Sequence, residues 1–120
     1  MEPNERYRRH LVLREVGPEG QARLLRATVR VHGAGRAAEE AAFYLVAAGL
    51  GRVLLEAPLR ERLAERLAEL NPDVILADAA LLPFEVMPAD PDRRVEGARA
   101  ALIALLTLSG AAKVASWQER

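Results

Sequence analysis

Hydrophobic and polar residues follow two different periods along this chain, and the periods predict short strands separated by helices. Residues 28–32 alternate valine with polar side chains and are followed at once by glycine, which is typical of a strand. Two further apolar runs, residues 53–55 and 74–76, are short and rich in branched side chains, so we interpret both as buried strands.

The segments between these strands have a helical pattern. Residues 36–49 become apolar on every side after Ala41, which predicts a buried helix that ends at Gly49. A helix that begins at Pro58 has one leucine stripe, and its other face is a run of arginine and glutamate. We interpret that run as a solvated face with favourable i,i+3 ion pairs. Residues 95–108 are predicted to form a last apolar helix.

The remaining segments are less regular. Residues 5–14 are interpreted as an arm, and a short helix is expected from Pro18 to about Arg26, with Leu24 and Leu25 facing inward. Residues 83–94 contain three prolines and are predicted to form an irregular loop. Residues 114–115 are a candidate edge strand.

Alternation of strands and helices predicts an α/β fold with right-handed crossovers between parallel strands. We expect a small Rossmann-like three-layer domain with a mainly parallel sheet of about three to four strands. Residues 1–27 would form the arm and its helix, and residues 28–120 a single domain.

Composition narrows the possible functions. With 17 basic and 17 acidic residues the formal net charge is zero, which argues against nucleic acid or a membrane surface as a partner. No cysteine is present, so a disulfide scaffold, a cysteine-ligated zinc site and thiolate chemistry on this chain are excluded. The longest uncharged run, residues 100–112, is shorter than the roughly 20 residues that span a bilayer. We expect a cytoplasmic protein.

A glycine turn is the main candidate binding site. Gly33 and Gly35 lie between a predicted strand and a predicted helix, followed by Ala38, and Glu56 stands at the end of the next strand. This is the fingerprint of dinucleotide-binding folds, in which the glycines let phosphate approach the helix N-terminus and the carboxylate accepts from a ribose hydroxyl. A tight turn with no ligand has the same pattern.

Four side chains beside the turn affect the chemistry that is expected there. Glu39 and Glu40 satisfy the helix dipole themselves and would repel a bound phosphate. Arg36 either holds a phosphate or fills the space. His32, just before the turn, is interpreted as a packed residue at a strand end.

Five motifs occur in order along the chain: Glu5-Arg6-Tyr7-x-Arg9-His10-Leu11, Gly17-x-x-Gly20-Gln21, Gly33-Ala34-Gly35, Tyr44-Leu45-x-Ala47-Ala48-Gly49-x-Gly51 and Leu70-Asn71-Pro72. With these motifs the N-terminal half resembles the opening of the ThiF/MoeB/HesA family of activating enzymes for ubiquitin-like and sulfur-carrier proteins. The resemblance implies ATP and magnesium as cofactors, adenylation of the C-terminal glycine of a small β-grasp protein, and a dimer.

The resemblance also assigns residues. Arg9 matches the family's arginine that reaches the nucleotide across the dimer, and Gly33 and Gly35 match its glycine loop. Arg36 replaces the family's next glycine, and Glu56 replaces its ribose-binding aspartate. Nucleotide-binding candidates are therefore Arg9, Gly33, Gly35, Arg36 and Glu56.

Several parts of the family's machinery have no counterpart in this sequence. Its Ser-Asn-Leu-Asn-Arg-Gln-like segment and following lysine, which neutralise the triphosphate, are missing between Glu56 and Pro58. The Thr-Asp-Asn-like motif and the zinc-binding cysteines are missing too, and Asp78 is the nearest candidate for the aspartate. We therefore assign no catalytic residue and no metal ligand.

These gaps favour a degenerate family member that acts as a dimeric binding or scaffold subunit, with residual nucleotide binding left open. Its partners would be a second copy, a ubiquitin-like or sulfur-carrier protein, or a full-length family member. One alternative is an ATP-dependent adenylyltransferase that borrows cations from a partner. Another is a regulatory module that binds a nucleotide or dinucleotide without turnover.

Overall fold

The computed structural model describes residues 16–80 and 82–110. Its elements, in chain order, are α1 (Gly17–Arg26), β1 (Thr28–Val31), α2 (Arg36–Ala47), β2 (Arg52–Leu55), α3 (Ala57–Leu70), β3 (Ile75–Leu76), β4 (Phe84–Val86) and α4 (Arg94–Ser109). The candidate nucleotide contact Arg9, most of the proposed arm and the candidate edge strand at residues 114–115 lie outside the described residues.

The four strands form one parallel sheet in the order β3-β2-β1-β4. The expected α/β class with a parallel sheet is thereby confirmed. The prediction of an irregular loop over residues 83–94 was wrong at its start, because Phe84–Val86 pairs with β1. The prolines flank this strand instead of interrupting it, so its main-chain donors remain available for the sheet.

The two faces of the sheet differ in burial. Paired residues of a parallel register point to the same face, and Val29, Val53 and Val86 share the face that the helices cover. The other face carries Thr28, Arg30, Arg52, Leu54, Ile75 and Glu85. We call it the open face, because all of these except Leu54 and the partly buried Thr28 are exposed.

Helix α2 lies at the centre of the helical layer, where it contacts α3, α4 and strands β1 and β2. Its residues Ala41, Ala42 and Leu45 are fully buried, which confirms the prediction of a buried helix. Helix α4 approaches α2 closely, since a Cβ added at Gly97 would lie 1.9 Å from the carbonyl oxygen of Ala37. Small side chains therefore set the spacing of these two helices.

Helices α1 and α3 differ from their predictions in detail. In α1, Leu24 is buried as expected, but Leu25 is 60% exposed, so its predicted inward orientation was wrong. In α3 the leucine stripe is buried. The expected i,i+3 pairs are not formed within Ala57–Leu70, because its arginines reach residues of other elements instead. No helix in the described ranges is long and apolar enough to cross a membrane.

Candidate functional site

The glycine turn lies at the carboxyl end of the sheet, where the strand order reverses. Strand β1 is flanked by β2 on one side and by β4 on the other, and ligands of open α/β sheets bind in the crevice at such a point. Gly33 has a φ of +94°, a left-handed conformation that glycine adopts without strain. The turn and the segment after β4, residues 87–93, therefore border the crevice expected to hold a ligand.

The predicted acidic partner does reach the glycine turn. Glu56 stands between β2 and α3, and its Oε2 accepts a hydrogen bond of 2.5 Å from the main-chain N–H of Gly33. The sequence thus identified two residues that meet in the fold. Their contact also gives that N–H an acceptor within the chain, where the fingerprint would expect a nucleotide group nearby.

The N-terminus of α2 is capped by the chain itself. Its N-cap residue is Gly35, which has no side chain, and the carbonyl of Pro91 accepts a hydrogen bond of 3.1 Å from the N–H of Ala37. The same carbonyl oxygen would lie 3.0 Å from a Cβ added at Gly35. Pro91 therefore occupies the position in which a phosphate oxygen would approach the helix N-terminus.

The two glutamates of α2 are paired with arginines that the sequence analysis did not single out. Glu39, whose side chain is 15% exposed, binds Arg62 at 3.4 Å and Arg94 at 3.1 Å. Arg94 also lies 3.5 Å from Glu40, and Arg62 donates to the carbonyl of Ala34 within the turn. The carboxylates are thus partly neutralised, and two cations stand beside the turn.

No local signal in the sequence marked these arginines. Arg62 belongs to the arginine and glutamate run of α3, and Arg94 follows the proline-rich segment. Both are separated from Glu39 by long stretches of chain, and they meet it only because α3 and α4 pack on the two sides of α2. Arg36, which the sequence did identify, is exposed and makes no side-chain hydrogen bond or ion pair with the described residues.

Two other candidates form side-chain hydrogen bonds at the same end of the sheet. His32 hydrogen-bonds to Glu85 of β4, and both side chains are partly exposed, so this histidine is less buried than predicted. Asp78 pairs with Arg60, which also donates to the carbonyl of Leu76. The described residues contain no cluster of three or more histidine, aspartate or glutamate side chains that could hold a metal ion.

The groups around the turn do not fit a nucleoside triphosphate as they stand. The N–H groups of Gly33 and Ala37 already have acceptors, and the cations Arg62 and Arg94 already have carboxylate partners. A triphosphate would have to displace Pro91 and would meet the charge of Glu56. We therefore derive no reaction step through ATP at this site.

Comparison with known proteins gives several partial matches. The chain is 37% identical over 95 residues to the SAMP-activating enzyme E1 of Haloferax volcanii, a match that covers 77% of this chain and 35% of that protein. It is 57% identical over 49 residues to the sulfur carrier protein adenylyltransferase of Thermus thermophilus, covering 41% of this chain and 18% of that enzyme. It is 43% identical over 75 residues to the vegetative HesA protein of Trichormus variabilis, a match that covers 62% of this chain and 26% of that protein.

No protein-family model matches the chain. It covers about a third or less of the length of each of these relatives. The names of these relatives agree with the family resemblance that the sequence motifs carry. The chain is therefore related to the ThiF/MoeB/HesA family.

Proposed function

We propose that this chain is a family member that does not adenylate, and that it acts as a dimeric binding or scaffold subunit. The observation that carries the proposal is the closed glycine turn, in which Glu56 and Pro91 accept the hydrogen bonds of Gly33 and Ala37. Catalysis of adenylyl transfer requires donors and cations aimed at the developing charge of the phosphates. Here the N–H groups of Gly33 and Ala37 and the cations Arg62 and Arg94 are engaged within the chain, which leaves Arg36 as the exposed cation beside the turn that has no partner among the described residues.

The partner we propose is a ubiquitin-like or sulfur-carrier protein, or a full-length relative that activates one. The support comes from the relatives, which are named as enzymes that activate SAMP or adenylate a sulfur carrier protein. A subunit that keeps the fold but not the phosphate-handling groups would bind such a protein without modifying it.

The dimer is supported by the exposed face of α4. Val95, Leu102 and Ile103 project from this helix with exposed fractions of 50%, 40% and 56%. Exposed apolar side chains grouped on one helix face are typical of protein–protein contacts. Light scattering of the purified chain at micromolar concentration should give the mass of a dimer. The variant Ile103→Glu should shift it to monomer, whereas Ala68→Glu on the exposed side of α3 should not.

The test of the catalytic part is nucleotide binding together with pyrophosphate exchange. Calorimetric titration of the full chain with ATP and magnesium should give no saturable heat, and exchange with a β-grasp carrier protein present should stay at background. Saturable binding without exchange would favour the regulatory nucleotide-binding module. Exchange above background would establish adenylation.

An adenylyltransferase assisted by a partner is the second candidate, and one observation favours it. Arg62 and Arg94 stand beside the turn, at the end of the sheet where the missing cations of the family would be needed. If a partner drew Glu39 away, both arginines would be free to bind phosphate. Exchange that appears only with a full-length relative present, and disappears in Arg62→Ala, would support this candidate.

A further inference from the structure

A cleft at the amino ends of the strands carries two arginines that form no ion pair with the described residues. It is an open depression of about 440 Å³, lined by Arg26 at the end of α1, Arg52 at the start of β2, Asp73, and the apolar side chains of Leu25 and Ile75. We call it the basic cleft.

The basic cleft has a fixed floor. The N–H of Gly51 donates to the carbonyl of Leu24, and the N–H of Arg52 donates to the carbonyl of Ala27. A Cβ added at Gly51 would lie 1.7 Å from the carbonyl oxygen of Leu25. The end of α1 is therefore held directly against the start of β2, and the two arginines project from a backbone that is already ordered before any partner binds.

The arginines of this region differ from Arg62 and Arg94 near the glycine turn, which are both paired with carboxylates. Arg26, Arg30 and Arg52 are exposed and make no side-chain hydrogen bond or ion pair with the described residues. Arg30 lies two residues beyond Thr28 on β1, about 6.6 Å further along the open face. Together they extend the positive charge of the basic cleft onto the sheet, although the whole chain has no net charge.

Charge complementarity indicates what binds there. Arginines that have no carboxylate partner favour an acidic ligand, and the exposed apolar side chains of Leu25 and Ile75 favour one that also carries apolar groups. The undescribed parts of the chain are poor candidates, because residues 1–15 have four arginines against three glutamates, and residues 111–120 have Lys113 and Arg120 against Glu119.

We propose that the basic cleft binds an acidic peptide segment with apolar side chains, presented by a partner protein. A small-molecule substrate is disfavoured by position, because in sheets of this type such ligands bind at the opposite, carboxyl ends of the strands. Nucleic acid is disfavoured because no aromatic side chain lines the basic cleft for base stacking. This surface adds a partner chemistry to the proposed binding function and is independent of the glycine turn.

The test uses the full chain and a fluorescein-labelled peptide composed of glutamate and leucine, followed by anisotropy. The peptide should bind saturably and more weakly as salt is raised, and a matched peptide of lysine and leucine should not bind. Arg52→Glu should weaken binding about three- to fivefold, because it replaces an attraction with a repulsion. Arg52→Lys should retain most of the binding.

The matched control is Arg93→Glu, which makes the same charge change at an exposed arginine that does not line the basic cleft. Equal weakening by Arg52→Glu and Arg93→Glu would overturn the proposal, since it would show a response to net charge alone. Binding of a labelled single-stranded oligonucleotide, but not of the acidic peptide, would overturn it in favour of nucleic acid. Neither result would alter the outcome of the ATP titration, so the two proposals fail separately.

Discussion

The two ends of the sheet carry similar polar groups but differ in how these groups are satisfied. At the carboxyl end, the N–H groups of the turn are bonded to Glu56 and Pro91, and two arginines are bonded to Glu39. At the amino end, Arg26 and Arg52 have no partner among the described residues. A ligand at the first end must displace contacts of the chain, whereas a ligand at the second need not. The relationship of this chain to adenylyltransferases therefore does not establish that its ligands bind at the glycine turn.

The largest effect on stability is expected from a substitution that forces apart helices α2 and α4, whose close contact supports the closed glycine turn. Gly97→Ala places a methyl group 1.9 Å from the carbonyl oxygen of Ala37, a main-chain atom that cannot rotate away. Helices α2 and α4 must separate, which we expect to lower the free energy of unfolding by about 3 kcal/mol. Urea denaturation measures this change.

Arg99→Ala is the control for that experiment, because it alters an exposed residue on the same helix and should change stability by less than about 0.5 kcal/mol. If Gly97→Ala were as mild as the control, the close approach of α2 and α4 would be disproved. The close packing of α2 and α4 could then no longer explain why Pro91 lies over the glycine turn.

The second largest effect on stability is expected at Glu39, whose carboxylate contacts both Arg62 and Arg94. Glu39→Gln removes the charge partner of Arg62 and one of the two carboxylates beside Arg94, and we expect a loss of about 1 kcal/mol in stability, discounted for the partial exposure of the arginines. The freed arginines should then bind phosphate. Calorimetry should then detect saturable ATP binding that the unmodified chain does not show.

Glu65→Gln is the control, since Glu65 is exposed on α3 and forms no ion pair with the described residues. A lack of saturable ATP binding in Glu39→Gln as well would show that the paired arginines are not what keeps phosphate out. The closed main-chain contacts of Gly33 and Ala37 would then be the remaining explanation.

A smaller effect on stability is expected for a substitution at Gly35, where the carbonyl of Pro91 lies against the glycine turn. Gly35 has an ordinary negative φ, so alanine fits its backbone, but the added methyl would lie 3.0 Å from the Pro91 carbonyl oxygen. Pro91 should shift by a few tenths of an ångström and its hydrogen bond with Ala37 should weaken. We expect Gly35→Ala to cost about 0.5–1 kcal/mol. Faster amide hydrogen exchange at Ala37 would confirm the cause, and unchanged exchange would contradict it.

Local patterns predicted the framework of the fold, because periodicity reports burial directly. The buried character of α2 and the leucine stripe of α3 follow from residues near one another in sequence. Strand β4 was missed because three prolines dominate its surroundings. Leu24 and Leu25 were both expected to face inward, but neighbouring residues of a helix point in different directions, and only Leu24 is buried. Such errors arise where tertiary packing decides between local alternatives.

The candidate site was predicted only in part, for a physical reason. Gly33 and Glu56 follow adjacent parallel strands, so their meeting could be read from strand order. The contacts of Glu39 with Arg62 and Arg94 depend on how three helices pack, and the cap on Ala37 depends on the course of a proline-rich segment. No spacing rule in a single sequence gives those distances.

The smallest effect on stability is expected for a substitution at the amino end of the sheet. This small effect tests most directly whether the two ends of the sheet differ in how their arginines are paired. Arg52 has no partner among the described residues, so Arg52→Ala should change the free energy of unfolding by less than about 0.5 kcal/mol. Arg94→Ala, at a similarly exposed arginine, should cost more because it leaves Glu39 and Glu40 with less compensating charge. Paired urea denaturation curves measure both. A larger loss for Arg52→Ala than for Arg94→Ala would mean that Arg52 already stabilises the fold, and Arg52 would then be no freer to bind a ligand than Arg94 is.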